Sequence, residues 1–189
     1  SDLKYQTETR FLLKAAVNKN PNDKKIKPTE AHNALNDIVI FPGETAQLIE
    51  FELEIDGLFV YSQKSDGLII ATPTGSTAYS LSAGGPILQS DMDAIILTPM
   101  FPHTLTSRPL VISSNSEIKI HISENNKMDP KLSFDGQVYQ QLKRGDNINI
   151  CKQHRKMTLI HPVGYDYYKV FRQKLHWGKQ LIKLNQKKS

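Results

Sequence analysis

A single cysteine in 189 residues excludes an internal disulfide. Cys151 falls in the strand-like run Ile148-Asn149-Ile150-Cys151, and a buried thiol there suits a reducing, cytoplasmic setting. Apolar runs are short. None approaches the ~20 residues of a bilayer-spanning helix, and no signal-peptide pattern opens the chain, so no membrane partner is expected. The six histidines (His32, His103, His121, His154, His161 and His176) are scattered, with no i, i+4 pair and no cysteine beside them, which argues against a zinc site. The chain has no P-loop, no Gly-x-Gly-x-x-Gly fingerprint and no Gly-x-Ser-x-Gly elbow. Walker-type phosphate binding, a glycine-fingerprint dinucleotide fold and serine-hydrolase chemistry are thereby set aside.

Acidic charge is missing from one place in particular. After Tyr168 there are seven Lys/Arg residues and no Asp or Glu. Removing those seven from the 24 basic residues leaves 17 against 19 acidic ones, so the formal charge of +5 belongs to the tail and the body is slightly acidic. Nucleic acid is not an expected partner of such a body.

What is present reads as a globular protein, with 39% hydrophobic and 23% charged residues. Phe51-Glu52-Leu53-Glu54-Ile55 alternates, turns at Asp56-Gly57 and returns as Leu58-Phe59-Val60-Tyr61, a hairpin signal. Leu132 to Tyr139 repeats the pattern around Asp135-Gly136, and Leu35–Phe41, Ile118–Ile122 and Asn147–Cys151 are strand-like. Residues 5–17 fit strand or helix, and Asn18 to Pro28 reads as a loop. The expected fold is mainly β, an antiparallel β-sandwich over residues 1–165, followed by a C-terminal helix and basic tail over 166–189. The helix is expected from Tyr167 to about Leu184, with a broad apolar face opposite its lysines.

The stretch Ser65 to Pro86 opens with Asp66-Gly67 and a buried-strand run, Leu68-Ile69-Ile70-Ala71. Thereafter nearly every side chain is small or hydroxylated, apart from Tyr79. Such a segment builds a core poorly, because each buried hydroxyl needs a partner. It suits close approach by a polar ligand, with hydroxyls and N–H groups as binding partners and Tyr79 as a stacking face. A short helix is expected from near Ser76 to Ala83, stopped by Gly84-Gly85. Asp37, Asp66 and Asp135 stand beside turns or strand ends, with Asn36 and Gln137 next to two of them. Short acids so placed can accept hydrogen bonds from ribose hydroxyls. Residue types and spacing alone point to a polar small-molecule site, with a nucleotide among the ligands it would suit, and go no further.

The run Thr72-Pro73-Thr74-Gly75-Ser76-Thr77-Ala78-Tyr79-Ser80-Leu81-Ser82-Ala83-Gly84-Gly85-Pro86 resembles the signature of the NAD kinases. In the family's order, Asn36-Asp37 resembles its Asn-Glu pair, Ser65-Asp66-Gly67 its Asp-Gly step and Asp135-Gly136-Gln137 its late acid segment. The ending, His161-Pro162 through Trp177-Gly178-Lys179, resembles that of proteobacterial members. The resemblance implies transfer of a phosphoryl group from ATP or polyphosphate to the 2′-hydroxyl of the adenosine ribose of NAD, giving NADP. It implies a divalent metal, Mg²⁺ by preference, and a homo-oligomer, dimer or tetramer. It also implies roles for residues. Asn36 and Asp37 would hold a ribose or the phosphates of NAD, and Thr74 and Thr77, Ala78, Tyr79, Ser80, Leu81 and Ser82 would line the site. Lys64 and Asp66 would reach an NAD bound largely by a neighbouring subunit, Gln137 would close the pocket and Gln47 would add a polar contact. Asp135 is a further candidate of the same segment.

The sequence departs from the family pattern at three points. Its Gly-Gly-Asp-Gly motif, whose Asp is taken as the base for the 2′-hydroxyl, is nowhere in these 189 residues. The chain therefore reads as the domain that follows an N-terminal α/β domain carrying that motif, inactive or nearly so alone. Asp37 is one methylene shorter than Glu, and Lys64 offers a point charge where Arg offers a fork. Two alternatives stand beside this reading, a free-standing NAD or NADP sensor and a lipid kinase relative.

Overall fold

The computed structural model describes residues 4–18, 31–43, 47–104 and 106–176. Its strands are β1 (Tyr5–Asn18), β2 (His32–Ala34), β3 (Asp37–Phe41), β4 (Ile49–Ile55), β5 (Leu58–Ser65) and β6 (Gly67–Ala71) in the first half. They continue with β7 (Ala94–Met100), β8 (Leu110–Ser113), β9 (Ile118–Ile122), β10 (Lys131–Phe134), β11 (Val138–Gln141) and β12 (Asn147–Pro162). Among the described residues helical structure is confined to a 3₁₀ turn (Thr74–Thr77), a single turn α1 (Tyr79–Ser82) and α2 (Tyr167–Lys174). The strands form two six-stranded sheets in the orders β2-β1-β12-β9-β4-β5 and β11-β10-β3-β6-β7-β8, and the paired registers are antiparallel. This is the expected mainly β sandwich.

The chain divides into two compact units, Thr9–Met157 and the combination of Ser1–Glu8 with Thr158–Ser189. In the larger unit the core joins both sheets: Leu13, Phe51, Leu53 and Ile120 of the first meet Ile38, Ile40, Leu68, Ile70 and Leu97 of the second. Strand side chains alternate between faces, so Val39, Ile69 and Ile96 point to the other side of the second sheet. There they form a second cluster with Ala71, Leu88 and Met100, roofed by residues of the segment after β6. That double burial explains why β3, β6 and β7 read as continuous apolar runs, their residues almost all buried.

Several expectations are sharpened. The ambiguous run near the N-terminus is strand, and both Asp-Gly turns close hairpins, with Asp56 at φ 52° and Asp135 at φ 51°. The strand expected from Leu35 begins at Asp37, because Leu35 and Asn36 form a corner. Strands β7 and β8 have no counterpart among the sequence expectations: β7 is a fully buried run carrying a proline. The helix expected from Ser76 to Ala83 is broken at Ala78 (φ −101°, ψ −129°) into the 3₁₀ turn and α1.

In the smaller unit, His161 lies 3.1 Å from a Glu8 carboxylate oxygen and stacks on Tyr165 at 3.9 Å. Asp166 caps α2 by accepting the Lys169 N–H at 3.0 Å, which with the Arg172 guanidinium holds its carboxyl below the usual range. The C-terminal helix expected to about Leu184 ends at Lys174, with Leu175 as its C-cap and His176 at φ 56°; the residues beyond His176, with Trp177-Gly178-Lys179, lie outside the described residues, as does most of the loop expected after Asn18.

Candidate functional site

Two polar residues at the start of β3 need a reason to sit in an apolar run, and the structure supplies one. The corner Leu35-Asn36-Asp37 is gripped from both sides. From the β10–β11 hairpin, Asp135 accepts the N–H of Leu35 on Oδ2 at 2.8 Å and those of Asn36 and Asp37 on Oδ1 at 2.7 and 3.1 Å. The Asp135 N–H donates in return to the Asp37 carbonyl at 3.0 Å. From the end of β6, the Thr72 N–H donates to the Asn36 carbonyl at 2.9 Å and its hydroxyl to the Leu35 carbonyl at 2.6 Å. That hydroxyl also accepts the Gly75 N–H at 3.1 Å, which ties the 3₁₀ turn to the same corner.

The hydroxyls of the central stretch divide into two kinds. Thr72, Ser76 and Ser80 are buried. Ser76 donates to the Pro73 carbonyl at 2.6 Å and accepts the Leu88 N–H at 3.1 Å. Ser80 pairs with Thr98 at 3.0 Å. These hydroxyls are spent on holding the segment to the sheet, as buried polar groups must be. Thr74 and Thr77 are half-buried and Ser82 is exposed.

Beside this segment, on the side of the second sheet away from the sandwich core, lies an open cavity of about 580 Å³. It brings together seven of the residues expected from the sequence: Asn36, Asp37, Gln47, Asp66, Ala78, Tyr79 and Asp135. Lys64, Thr74, Thr77, Ser80, Leu81, Ser82 and Gln137 are not among its lining residues. Lys64 is instead 2.8 Å from a Glu50 carboxylate oxygen, and that ammonium is the main reason the Glu50 carboxyl titrates below its ordinary range. The Gln137 N–H closes its hairpin on the Phe134 carbonyl at 3.0 Å.

Sequence reasoning missed the apolar half of the cavity: Val39, Phe41, Met100, Phe101 and Tyr139, with Ser133 between them. Val39, Ser133 and Tyr139 share one cross-strand row, a relation that only register reveals. Tyr79, Phe101 and Tyr139 are 51%, 79% and 61% exposed, so three aromatic rings stand open to a ligand. Tyr139 also packs edge-on against Phe41 at 6.3 Å. A planar group has stacking partners here, and hydroxyls have acceptors at the acid end.

Asp37 is the electrostatic centre. It is only 5% exposed, and burial together with the neighbouring Asp135 charge raises its pKa to about 6, against the pull of the Tyr79 N–H. Among the described residues no group of three or more His, Cys, Asp or Glu side chains could hold a metal ion, so none of them is assigned to the divalent metal that the resemblance implies. No helix among them is long and apolar enough to cross a membrane.

Comparison with known proteins places this geometry. The family model described as the ATP-NAD kinase C-terminal domain matches residues 35–162. The chain is 51% identical over 180 residues to an NAD kinase of Azotobacter vinelandii and to one of Pseudomonas aeruginosa, covering 95% of this chain and 59% of each relative. It thus spans about 59% of the length of the curated relatives it matches. Among solved structures it resembles yeast NADH kinase complexed with NADH, with TM-score 0.82 and 33% identity over 92% of this chain and 50% of that one. It also resembles an NAD kinase from Archaeoglobus fulgidus in complex with ATP, with TM-score 0.64 and 27% identity over 80% of this chain and 55% of that one. A family match over residues 35–162, a span that includes the Asn36-Asp37 corner and the residues lining the cavity, means that this chain belongs to the ATP-NAD kinase C-terminal domain family.

Proposed function

We propose that this domain forms the NAD-binding wall of an NAD kinase, which moves a phosphoryl group from ATP or polyphosphate to the 2′-hydroxyl of the adenosine ribose of NAD. The observation that carries the reading is one cavity in which Asn36, Asp37 and Asp66 face the same space as Tyr79. The Asn36 and Asp37 side chains receive ribose hydroxyls, and Tyr79 stacks on the adenine. Asp37, one methylene shorter than the family's Glu, reaches its hydroxyl directly or through a water. The apolar flank of Val39, Met100 and Phe101 excludes water from the bound nucleoside. Support comes from the fold likeness to a yeast kinase solved with NADH.

Phosphoryl transfer needs a base for the 2′-hydroxyl and charge neutralisation at the donor. Asp37 binds rather than deprotonates in this scheme. The base would come from a Gly-Gly-Asp-Gly segment of a partnering α/β domain, and a divalent metal, when bound, would supply charge neutralisation at the donor. Lys64, outside the cavity, contacts an NAD bound by a neighbouring subunit in a homo-oligomer. Thr74, Thr77, Ser80, Leu81 and Ser82 belong to the segment that carries Tyr79, and Gln137 follows Gly136 of the lining; their contacts with NAD are part of this proposal.

Two measurements test this. Calorimetry of the chain with NAD should show binding that Asp37→Ala weakens. Joined to a domain carrying Gly-Gly-Asp-Gly, the chain should form NADP, whereas alone it should not. Robust turnover by the chain alone would sink the assignment of the base, and binding without any gain of turnover would favour the sensor alternative.

A further inference from the structure

We propose that Asp135 is a positioning residue for the nucleotide site, acting through the backbone of the Leu35-Asn36-Asp37 corner rather than by touching the ligand. Three consecutive N–H groups converge on one carboxylate, Leu35 on Oδ2 and Asn36 and Asp37 on Oδ1, all within 3.1 Å. A carboxylate accepting from three amides commits three of its roughly four acceptor sites, which leaves little for a ribose hydroxyl. The chain bends at Leu35 and Asn36, between β2 of the first sheet and β3 of the second, and at Asp37 the bond back from β10–β11 comes from the Asp135 carboxylate. Without Asp135 the three N–H groups would be unpaired donors at the edge of the cavity.

The consequence for binding is geometric. Asn36 and Asp37 are consecutive residues whose side chains share the cavity wall, a relation that extended backbone would not give them. The corner that permits it is held by Asp135 on one side and Thr72 on the other. Asp135 itself sits at φ 51°, and its N–H returns a bond to the Asp37 carbonyl, so hairpin and corner form one unit. A shift of the hairpin therefore moves both ligand-facing side chains together. In Asp135→Asn one oxygen can still serve Asn36 and Asp37, but an NH₂ group faces the Leu35 N–H. Asp135→Glu keeps the charge and displaces it by a methylene.

This inference rests on the reading of the cavity as the NAD site, and the test separates the two. Amide hydrogen exchange by NMR and NAD calorimetry are run on the wild-type chain, Asp135→Asn, Asp135→Glu, and Asp135→Asn in an Asn36→Ala/Asp37→Ala background. The expected result is faster exchange at Leu35, Asn36 and Asp37 in both single variants and an about tenfold loss of NAD affinity in Asp135→Asn. Asp135→Glu should lose less. In the Asn36→Ala/Asp37→Ala background Asp135→Asn should cost almost nothing more, because the groups it positions are gone. A full additional tenfold loss in that background would overturn the proposal in favour of direct ligand contact. Unchanged affinity in a folded Asp135→Asn chain would sink the positioning role alone, whereas a wild-type chain that binds no NAD would sink the cavity reading. Should Asp135→Asn not fold, Asp135→Glu with unaltered exchange at the three amides and unaltered affinity would overturn the proposal by itself.

Discussion

Gly75 is packed directly on the backbone of Asn36. A Cβ built at position 75 would collide with the Asn36 carbonyl oxygen, and its next neighbours are the carbonyl carbon and Cα of the same residue. The glycine of the Thr-Gly-Ser-Thr run thus lets the 3₁₀ turn seat on the corner that presents Asn36 and Asp37. Gly75→Ala should destabilise the domain by about 3 kcal/mol or more, since backbone cannot yield as a flexible side chain can. Urea unfolding would show this as a lowered midpoint, and NAD affinity should fall with it. A midpoint within experimental error of wild type would contradict the packing.

Asp37 should make stability depend on pH in a defined window. Its folded pKa of about 6 lies above the ordinary 3.8, so the fold favours the protonated form. The folded state then holds more protons than the unfolded one between about 4 and 6, and stability falls as pH rises through that window. The full cost is present above about 6, and a shift of roughly two units corresponds to about 3 kcal/mol. Asp37→Asn should flatten this part of the curve and raise stability at pH 7, while weakening NAD binding. Thermal unfolding from pH 4.5 to 7.5 measures the first effect and calorimetry the second. A variant as pH-dependent as wild type over that range would refute the assignment.

Tyr79 is half exposed at the cavity edge. If its ring stacks on the base, Tyr79→Ala should weaken NAD binding by about 1–3 kcal/mol, and Tyr79→Phe should retain most of the affinity. Because about half of the residue is already exposed, the unfolding midpoint should move less than the binding free energy does. Equal losses in both variants would point to the hydroxyl in place of the ring.

Ser80 and Thr98 form a buried hydroxyl pair at 3.0 Å beneath α1. Removing either partner should leave the other unsatisfied, at about 1–3 kcal/mol each. The double variant Ser80→Ala/Thr98→Val should cost less than the sum of the two single changes. Strict additivity in denaturant unfolding would show that the pair does not couple.

Local pattern was enough for the hairpins at Asp56-Gly57 and Asp135-Gly136, because left-handed turn residues between alternating strands leave few other conformations. It was enough for the strands facing the core as well. It failed for β7, whose continuous burial carries no period, and for the helix at Ser76–Ala83, which breaks at Ala78. Residue type marked Asn36, Asp37 and Tyr79 but could not separate Thr72, Ser76 and Ser80 from true wall residues. A hydroxyl that binds a ligand and one that satisfies a buried carbonyl look alike in one dimension. The fold class was thus legible from composition, turn residues and one signature run. Which groups face the cavity was settled only by contacts across about 100 residues of chain, such as Asp135 on Asn36, because register and long-range hydrogen bonds choose the side of the sheet on which each side chain stands.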